Sequence, residues 1–450
     1  MDLREFLARA EAVDYLLTII RPVDPHLEMA RVIGALGGRP LLFTRVKGSA
    51  YRVAAGICSD RRYFGLALGC QPDELLFRLA ETLVNRKSPP LVGAAPCQEV
   101  VEPEVDLMAL PFLTHWPDDA GPYATAAVAF IEDPETGPNA AFHRLLRLDE
   151  RRLVARVVEG RGTHTALSKV RGDLPVAICI GLPPHVLLAA AMSPPPGVDE
   201  LTIAQALAPT PVVRRRTVPL WVPAAAEFVL EGRLTHRTTA EGPFVDLTET
   251  YDVVVRQQPV IEVDCITHRR EAIYQALLPG GLEHKLLMGL PREPTIYAAV
   301  NEVCACRNVH ITPGGTSWLH AVVQIEKHHP DDGRRAAEAT FRGHNSLKHV
   351  VVVDSDADIF DAQQVEWAIA TRFQAAHDLL VFEDQPSSSL DPSAEQVPGR
   401  RARTSKMALD ATIPWDTPDG PSDPKAFRRV ALEKVDVTSY LGTGDRDVIP

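Results

Sequence analysis

The chain has 450 residues, 45% hydrophobic and 24% charged, with a formal charge of -12 at neutral pH. A polymer of that length and composition can bury two or three ordinary cores, which excludes wholesale disorder and points to a multidomain globular protein. The negative balance argues against nucleic acid or an acidic membrane as the main partner, because either needs a basic face.

The chain opens Met1-Asp-Leu-Arg-Glu-Phe-Leu7, with charges where a signal peptide carries its apolar stretch, and no apolar run approaches the length of a bilayer span. A cytoplasmic protein is therefore expected. Asp24-Pro25 reads as a helix start, with Leu27, Met29, Val32 and Leu36 following at helical spacing and Gly37-Gly38 ending the element. A second helix is predicted over 72–83. Residues 1–110 thus read as a mixed α/β domain.

From 111 to 300 the character changes to short runs rich in Val, Ile, Phe and Thr, bounded by Gly, Pro and Asp, as in 123–132, 153–159 and 253–267. This predicts a barrel-like β domain. After 300 a strand-then-helix pattern returns, with a buried strand at 348–354 and a helix over 361–373, so 301–450 is expected to be a second α/β domain. The stretch 386–403, rich in Ser and Pro, reads as a loop.

Several motifs carry no chemistry on this reading. The seven cysteines are odd in number and scattered, and some lie in apolar runs such as Val176-Ala-Ile-Cys-Ile180, which indicates reduced, buried thiols. Cys304 and Cys306 lack a second Cys/His pair at zinc spacing. Asp354-Ser-Asp-Ala-Asp358 resembles the start of a calcium loop but has Ile359 and Val365 where Gly and Glu are required, so a solvated loop is expected. Gly280-Gly281 and Gly314-Gly315 read as turns, and His328-His329 as an exposed turn.

The β region holds the informative segments: Asp118-Asp-Ala-Gly-Pro-Tyr-Ala-Thr125, Asp133-Pro-Glu-Thr-Gly-Pro-Asn-Ala-Ala-Phe-His-Arg144, Ala190-Ala-Met-Ser193 leading to Glu200, and Ala226-Glu-Phe-Val-Leu-Glu-Gly232 leading into Glu241-Gly-Pro-Phe-Val-Asp246. With Val365-Glu-Trp-Ala-Ile-Ala-Thr-Arg372 and Ser405-Lys-Met-Ala-Leu-Asp-Ala-Thr412, they resemble the UbiD family of reversible decarboxylases over nearly the whole chain. The resemblance implies an α+β multidomain fold with a central split β-barrel that binds prenylated FMN. It implies non-oxidative, reversible decarboxylation of an α,β-unsaturated or (hetero)aromatic acid through a covalent adduct with that flavin.

Residue by residue, the resemblance assigns Asn139, His164 and Glu200 as ligands to a divalent metal, Mn2+ or Mg2+, with K+ as an additional candidate. Arg144, Glu241 and Asp246 match the catalytic set, and Thr125, Met192 and Lys406 join Asn139, Arg144 and His164 as flavin-binding positions. A flavin prenyltransferase would supply the cofactor. Relatives form dimers or rings of dimers, so a homo-oligomer with contacts after residue 300 is expected. His143 departs from the pattern, standing where an aromatic such as Tyr would be.

The residue types suit this chemistry on their own terms. An amide, an imidazole and a carboxylate can hold a hard cation and leave positions open for phosphate oxygens. Decarboxylation needs an acceptor for the electron pair left as CO2 departs, and no side chain here supplies one, which points to a cofactor. Arg144 can hold a carboxylate in its planar fork. Glu241 would orient it, and Asp246 would deliver the proton. Leu247 is expected to line the pocket, and Glu283 to stand behind it.

Taken singly, each residue has a plainer account: Glu241 and Asp246 flank a Gly-Pro turn where carboxylates face water, and Arg144 lies near Arg147, Arg151 and Arg152, which could form a solvated hairpin face. The combination outweighs these. Two other classes stay open at this point: an accessory subunit of a multi-subunit carboxylase, and an ordinary flavin-dependent oxidoreductase.

Overall fold

The structure is a computed structural model, and it describes residues 1–396, 402–415, 423–430 and 435. The first helix, Leu3–Ala12, starts at a reciprocal cap in which the Asp2 carboxylate accepts the Glu5 N–H and the Glu5 carboxylate accepts the Asp2 N–H, both at 2.9 Å. Leu3, Phe6, Leu7 and Ala10 share its buried face.

The helix expected to begin at Asp24-Pro25 begins instead at Glu28 and ends at Ala35. Residues 24–27 are drawn into contact with a distant loop: His26 forms an isolated β-bridge with Thr114, and the Leu27 N–H donates to the Thr114 carbonyl at 2.9 Å. A long-range backbone pairing outweighs the local cap. The second expected helix is present as a 3-10 turn, Pro72–Glu74, running into Leu75–Val84, with Leu75, Leu76 and Leu79 buried.

Three sheets organise the rest. A four-stranded sheet takes Leu17–Ile19, Leu41–Phe43 and Arg52–Ala55 from the first part of the chain and Ile273–Gln275 from much later, paired parallel to Arg52–Ala55. The central sheet has nine strands, and every pairing in it is antiparallel. Its spine is Phe228–Glu241 against Arg256–His268, flanked by Leu174–Ile180 and Val128–Asp133 on one side and by Arg152–Ala155 and Leu145–Arg147 on the other. The strand order is an open path whose ends, Tyr123–Ala124 and Gly137–Phe142, do not pair, so the expected barrel is not closed among the described residues.

A five-stranded sheet follows, in the order Ala305–Ile311, His320–Glu326, His349–Asp354, Arg403–Asp410, Leu379–Pro386. The expected buried strand and helix are both there, the helix as Ala362–Arg372 with Asp361 as its cap. One expectation needs correction. The Asp354–Asp358 segment is not wholly solvated, because Asp354 and Asp356 turn inward onto the buried Arg372 guanidinium at 3.3 and 2.8 Å. All seven cysteines are free, and five of them are buried. Among the described residues no helix is long and apolar enough to cross a membrane.

The spine carries two register shifts, one between Glu231 and Gly232. There the two backbones approach so closely that a Cβ on Gly232 would collide with the Glu262 carbonyl. Gly232→Ala is expected to cost about 1–3 kcal/mol, seen as a lower urea midpoint for the full chain; an unchanged midpoint would mean that the close approach relaxes freely.

Candidate active site

Arg144 stands between the strands Gly137–Phe142 and Leu145–Arg147, and its side chain is 9% exposed. Glu241 is the last residue of the long spine strand, in register with Arg256, and its side chain is fully buried. Beyond it, Phe244–Val245 pairs with Tyr251–Asp252 in a short hairpin whose turn contains Asp246. These elements bring three carboxylates onto one guanidinium.

Glu241 takes it with both oxygens, from Nε at 2.9 Å and from Nη2 at 3.0 Å. Asp246 accepts from Nη1 at 2.8 Å, and Asp252 accepts from Nη2 at 3.2 Å. Phe244 lies beneath the guanidinium, 4.6 Å from its carbon, and Tyr123 packs on Phe244 while its hydroxyl donates to Glu241 at 3.2 Å. Burial opposes the charge on Arg144, yet Glu241, Asp246 and Asp252 together hold its pKa above the ordinary arginine value. Burial beside Glu241 also pushes the Tyr123 hydroxyl up.

The structure therefore brings Arg144, Glu241 and Asp246 together, and adds Asp252 and Arg256, which sequence reasoning missed. Asp252 shares one oxygen between Arg144 and Arg256, the latter at 2.6 Å. The available signal was the hairpin register that sets Asp252 opposite Phe244. Leu247 is fully buried, and its N–H donates to Asp246 at 2.7 Å. Glu283 is buried too, but its carboxylate accepts the N–H groups of Gly56 and Cys58 at 2.8 and 3.1 Å, and burial pushes its pKa up to about 7. None of its hydrogen bonds reaches Arg144, Glu241 or Asp246.

A second constellation forms around Glu200, the first residue of helix Glu200–Leu207, which is 3% exposed. Its oxygens accept from Asn139 Nδ2 at 3.1 Å and from the Ala140 N–H at 2.8 Å, and burial pushes its pKa up to about 7. Asn139 Oδ1 is buried without a hydrogen-bond partner. A Cβ at Gly162 would fall 2.9 Å from that same oxygen, so the glycine leaves open the space it faces. An orphaned amide oxygen and a buried carboxylate beside an open cradle fit a hard cation.

His164 lies two residues beyond Gly162, exposed in the first turn of helix Gly162–Lys169, and hydrogen-bonds to neither Asn139 nor Glu200. His143 anchors that region: Nδ1 is 2.9 Å from the Arg156 carbonyl and Nε2 is 2.9 Å from the Thr163 hydroxyl, which fits Nδ1–H donating and Nε2 accepting.

The remaining expected positions are more dispersed. Thr125 donates to the Leu277 carbonyl at 2.6 Å and accepts the Leu277 N–H at 3.1 Å. Met192 is buried, and its carbonyl accepts from Arg292 at 2.8 Å. Lys406 is buried on the last sheet, donates to the Asn345 carbonyl at 2.7 Å and lies 5.1 Å from the centre of the Phe341 ring.

Comparison with known proteins bears on the family and the fold. Family profiles match residues 7–83, 91–282 and 285–411, described as the N-terminal, Rift-related and C-terminal domains of 3-octaprenyl-4-hydroxybenzoate carboxy-lyase (UbiD). Anhydromevalonate phosphate decarboxylase of Methanosarcina mazei is 41% identical over 92% of this chain and 96% of its own. Gallate decarboxylase of Lactiplantibacillus plantarum is 32% identical over 93% and 94%. The UbiD-class enzyme HmfF from Pelotomaculum thermopropionicum, solved with FMN, superposes with a TM-score of 0.90 at 37% identity, covering 99% of this chain and 100% of that one. An evolved dimeric form of HmfF, solved with prFMN, gives 0.87 at 36% identity and 99% coverage of each chain.

The buried bidentate pair yields a stability test. Glu241→Gln leaves Arg144 with a neutral partner in place of its best-buried carboxylate, at an expected cost on the order of 2 kcal/mol. Asp252→Asn, in a more open position and with Arg256 nearby, should cost less. Thermal denaturation of the two variants checks that order, and a larger loss for Asp252→Asn would reverse it.

Proposed function

Because the chain belongs to the UbiD family of carboxy-lyases, we propose that it catalyses the non-oxidative, reversible decarboxylation of an α,β-unsaturated or (hetero)aromatic carboxylic acid. The observation that carries this is the buried Arg144 with Glu241, Asp246 and Asp252 around it. On this reading Arg144 receives the substrate carboxylate and Asp246 beside it delivers the proton.

On this reading Asn139, Glu200 and His164 hold a divalent cation, Mn2+ or Mg2+, with K+ as an additional ion, and the cation neutralises a flavin phosphate. Thr125, Met192 and Lys406 line the flavin. When bound, prenylated FMN supplies the sink for the electron pair released as CO2 departs. The chain does the rest. Arg144 holds the substrate carboxylate, Glu241 keeps the guanidinium in its plane, and Asp252 keeps Arg256 as its partner when Arg144 turns to substrate. Phe244, Tyr123 and Leu247 exclude water. Asp246, protonated from solvent before this step, gives its proton after CO2 leaves to the carbon that lost the carboxylate, and is then reprotonated from solvent.

A flavin prenyltransferase is the proposed source of the cofactor, and a dimer or ring of dimers through residues after about 300 the proposed assembly; an evolved form of HmfF is dimeric. Anhydromevalonate phosphate is the first substrate to test, since the relative named for it is more similar in sequence than gallate decarboxylase.

Protein co-produced with a flavin prenyltransferase is expected to release CO2 from an acid of this class; a plain oxidised flavin spectrum with no CO2 from any such acid would favour an oxidoreductase instead. Asp246→Asn should abolish solvent-deuterium incorporation into the product, while Glu241→Gln slows it without abolishing it. Incorporation at the parent rate in Asp246→Asn would assign the proton to another group.

A further inference from the structure

The hairpin that carries two of the three acids on Arg144 is too small to hold itself. Phe244–Val245 and Tyr251–Asp252 pair with each other in a two-stranded sheet of their own, separate from the nine-stranded one. A ribbon of that size is marginal in water, so what fixes Asp246 and Asp252 on the guanidinium comes from outside the hairpin.

One tether is open to solvent. Lys285 reaches Glu249, in the hairpin turn, at 2.6 Å, but the Glu249 side chain is 63% exposed, and an ion pair so open to water contributes little. The other tether is loop 115–120, which touches the hairpin at two points. The Ala120 N–H donates to the Pro243 carbonyl at 3.0 Å, and the Asp118 N–H donates to the Tyr251 hydroxyl at 3.1 Å. Pro243 and Tyr251 immediately precede Phe244 and Asp252, so the loop grips both strands.

The shape of that loop is set by one side chain. Asp119 is fully buried, and its Oδ2 accepts the N–H groups of His115 at 3.2 Å and of Trp116 at 2.9 Å, while its own N–H donates to the Trp116 carbonyl at 3.2 Å. The same carboxyl draws on the Val245 N–H, inside the first strand of the hairpin.

Burial works against this carboxylate. It pushes the Asp119 pKa up, against the N–H groups of Trp116, His115 and Val245 and the charge on Arg144, which pull it back. Its Oδ1 is buried without a hydrogen-bond partner. His115, whose Nδ1 lies 4.0 Å from Oδ2, offers no charge in return, because burial pushes its own pKa down to about 3. What the carboxylate does hold is backbone N–H groups, and those belong to the loop and to the hairpin.

We propose that Asp119 is a positioning residue: it fixes loop 115–120, and through that loop the hairpin that sets Asp246 and Asp252 against Arg144. Glu241 does not depend on it, since the long strand Phe228–Glu241 carries that acid. Loss of Asp119 therefore leaves Arg144 oriented and displaces the proton donor. The inference rests on the decarboxylase reading only for the role of Asp246; the seating of the hairpin is independent of it.

The test uses full-length protein co-produced with a flavin prenyltransferase, as the parent and as Asp119→Ala, Asp119→Asn and Tyr251→Phe. Hydrogen exchange read by mass spectrometry is expected to quicken across 244–252 in Asp119→Ala while the strand Arg403–Asp410 stays unchanged. Asp119→Asn should exchange like the parent, because its amide oxygen still accepts the loop N–H groups. With an acid that the parent decarboxylates, kcat of Asp119→Ala should fall roughly tenfold to a hundredfold while KM stays within about threefold. The solvent isotope effect on kcat should rise as proton delivery becomes the slow step, which a mere loss of folded protein would not produce. Asp119→Asn should recover most of the rate. Should Asp119→Ala fail to fold, Tyr251→Phe removes the hydroxyl that takes the Asp118 N–H and carries both arms with smaller changes. If the parent releases CO2 from no such acid, the decarboxylase reading falls and the exchange arm alone decides the seating. Parent-like exchange across 244–252 in Asp119→Ala, or in Tyr251→Phe where that stands in for it, overturns the proposal, as does a fall in kcat with an unchanged isotope effect.

Discussion

A guanidinium taken out of water keeps its charge only if carboxylates follow it in, and at Arg144 this requirement shapes everything nearby. Arginine does not become neutral under these conditions, so the fold must supply the matching anions. Glu241 can do so because a fourteen-residue strand carries it to the end of the sheet, and Asp246 and Asp252 because a short hairpin folds back over the same point. Phe244 closes the underside. The long spine, its bulges and the Gly232 contact with the facing backbone are what hold that strand end in place.

The excess of carboxylates over the one guanidinium has a chemical consequence. Three acids on one arginine leave spare negative charge in a confined space, and Arg256 relieves it only at Asp252. An anionic substrate entering such a site must displace one acid from Arg144, and the acid with a second partner is the one that can leave at least cost. The carboxylate with a second arginine partner, Asp252, and the two that have none among the described residues are thus distinguished by geometry before any chemistry begins.

At Glu200 a buried carboxylate lies beside an amide oxygen of Asn139 that has no hydrogen-bond partner, and that donor chemistry suits a hard cation. The profile matches across the chain and the superposition on HmfF agree with a fold common to this family of decarboxylases.

The sequence by itself determined the elements whose signals are local. The helix predicted over 72–83, the strand predicted at 348–354 and the helix predicted over 361–373 are all present, with ends shifted by a few residues, because a helix face or a buried strand is written in neighbouring residues. The resemblance to UbiD sequences singled out Arg144, Glu241 and Asp246, which the fold brings into contact. Tertiary structure alone decided the rest. Residues 24–27 left their predicted helix because Thr114 offered backbone partners, and eight strands of the central sheet formed an open path because closure depends on pairing between ends that no local pattern specifies. Asp252 joined Arg144 from 108 positions away through a hairpin register. A lone aspartate or arginine carries no mark of the partner it takes; that pairing exists only once the chain has closed around it.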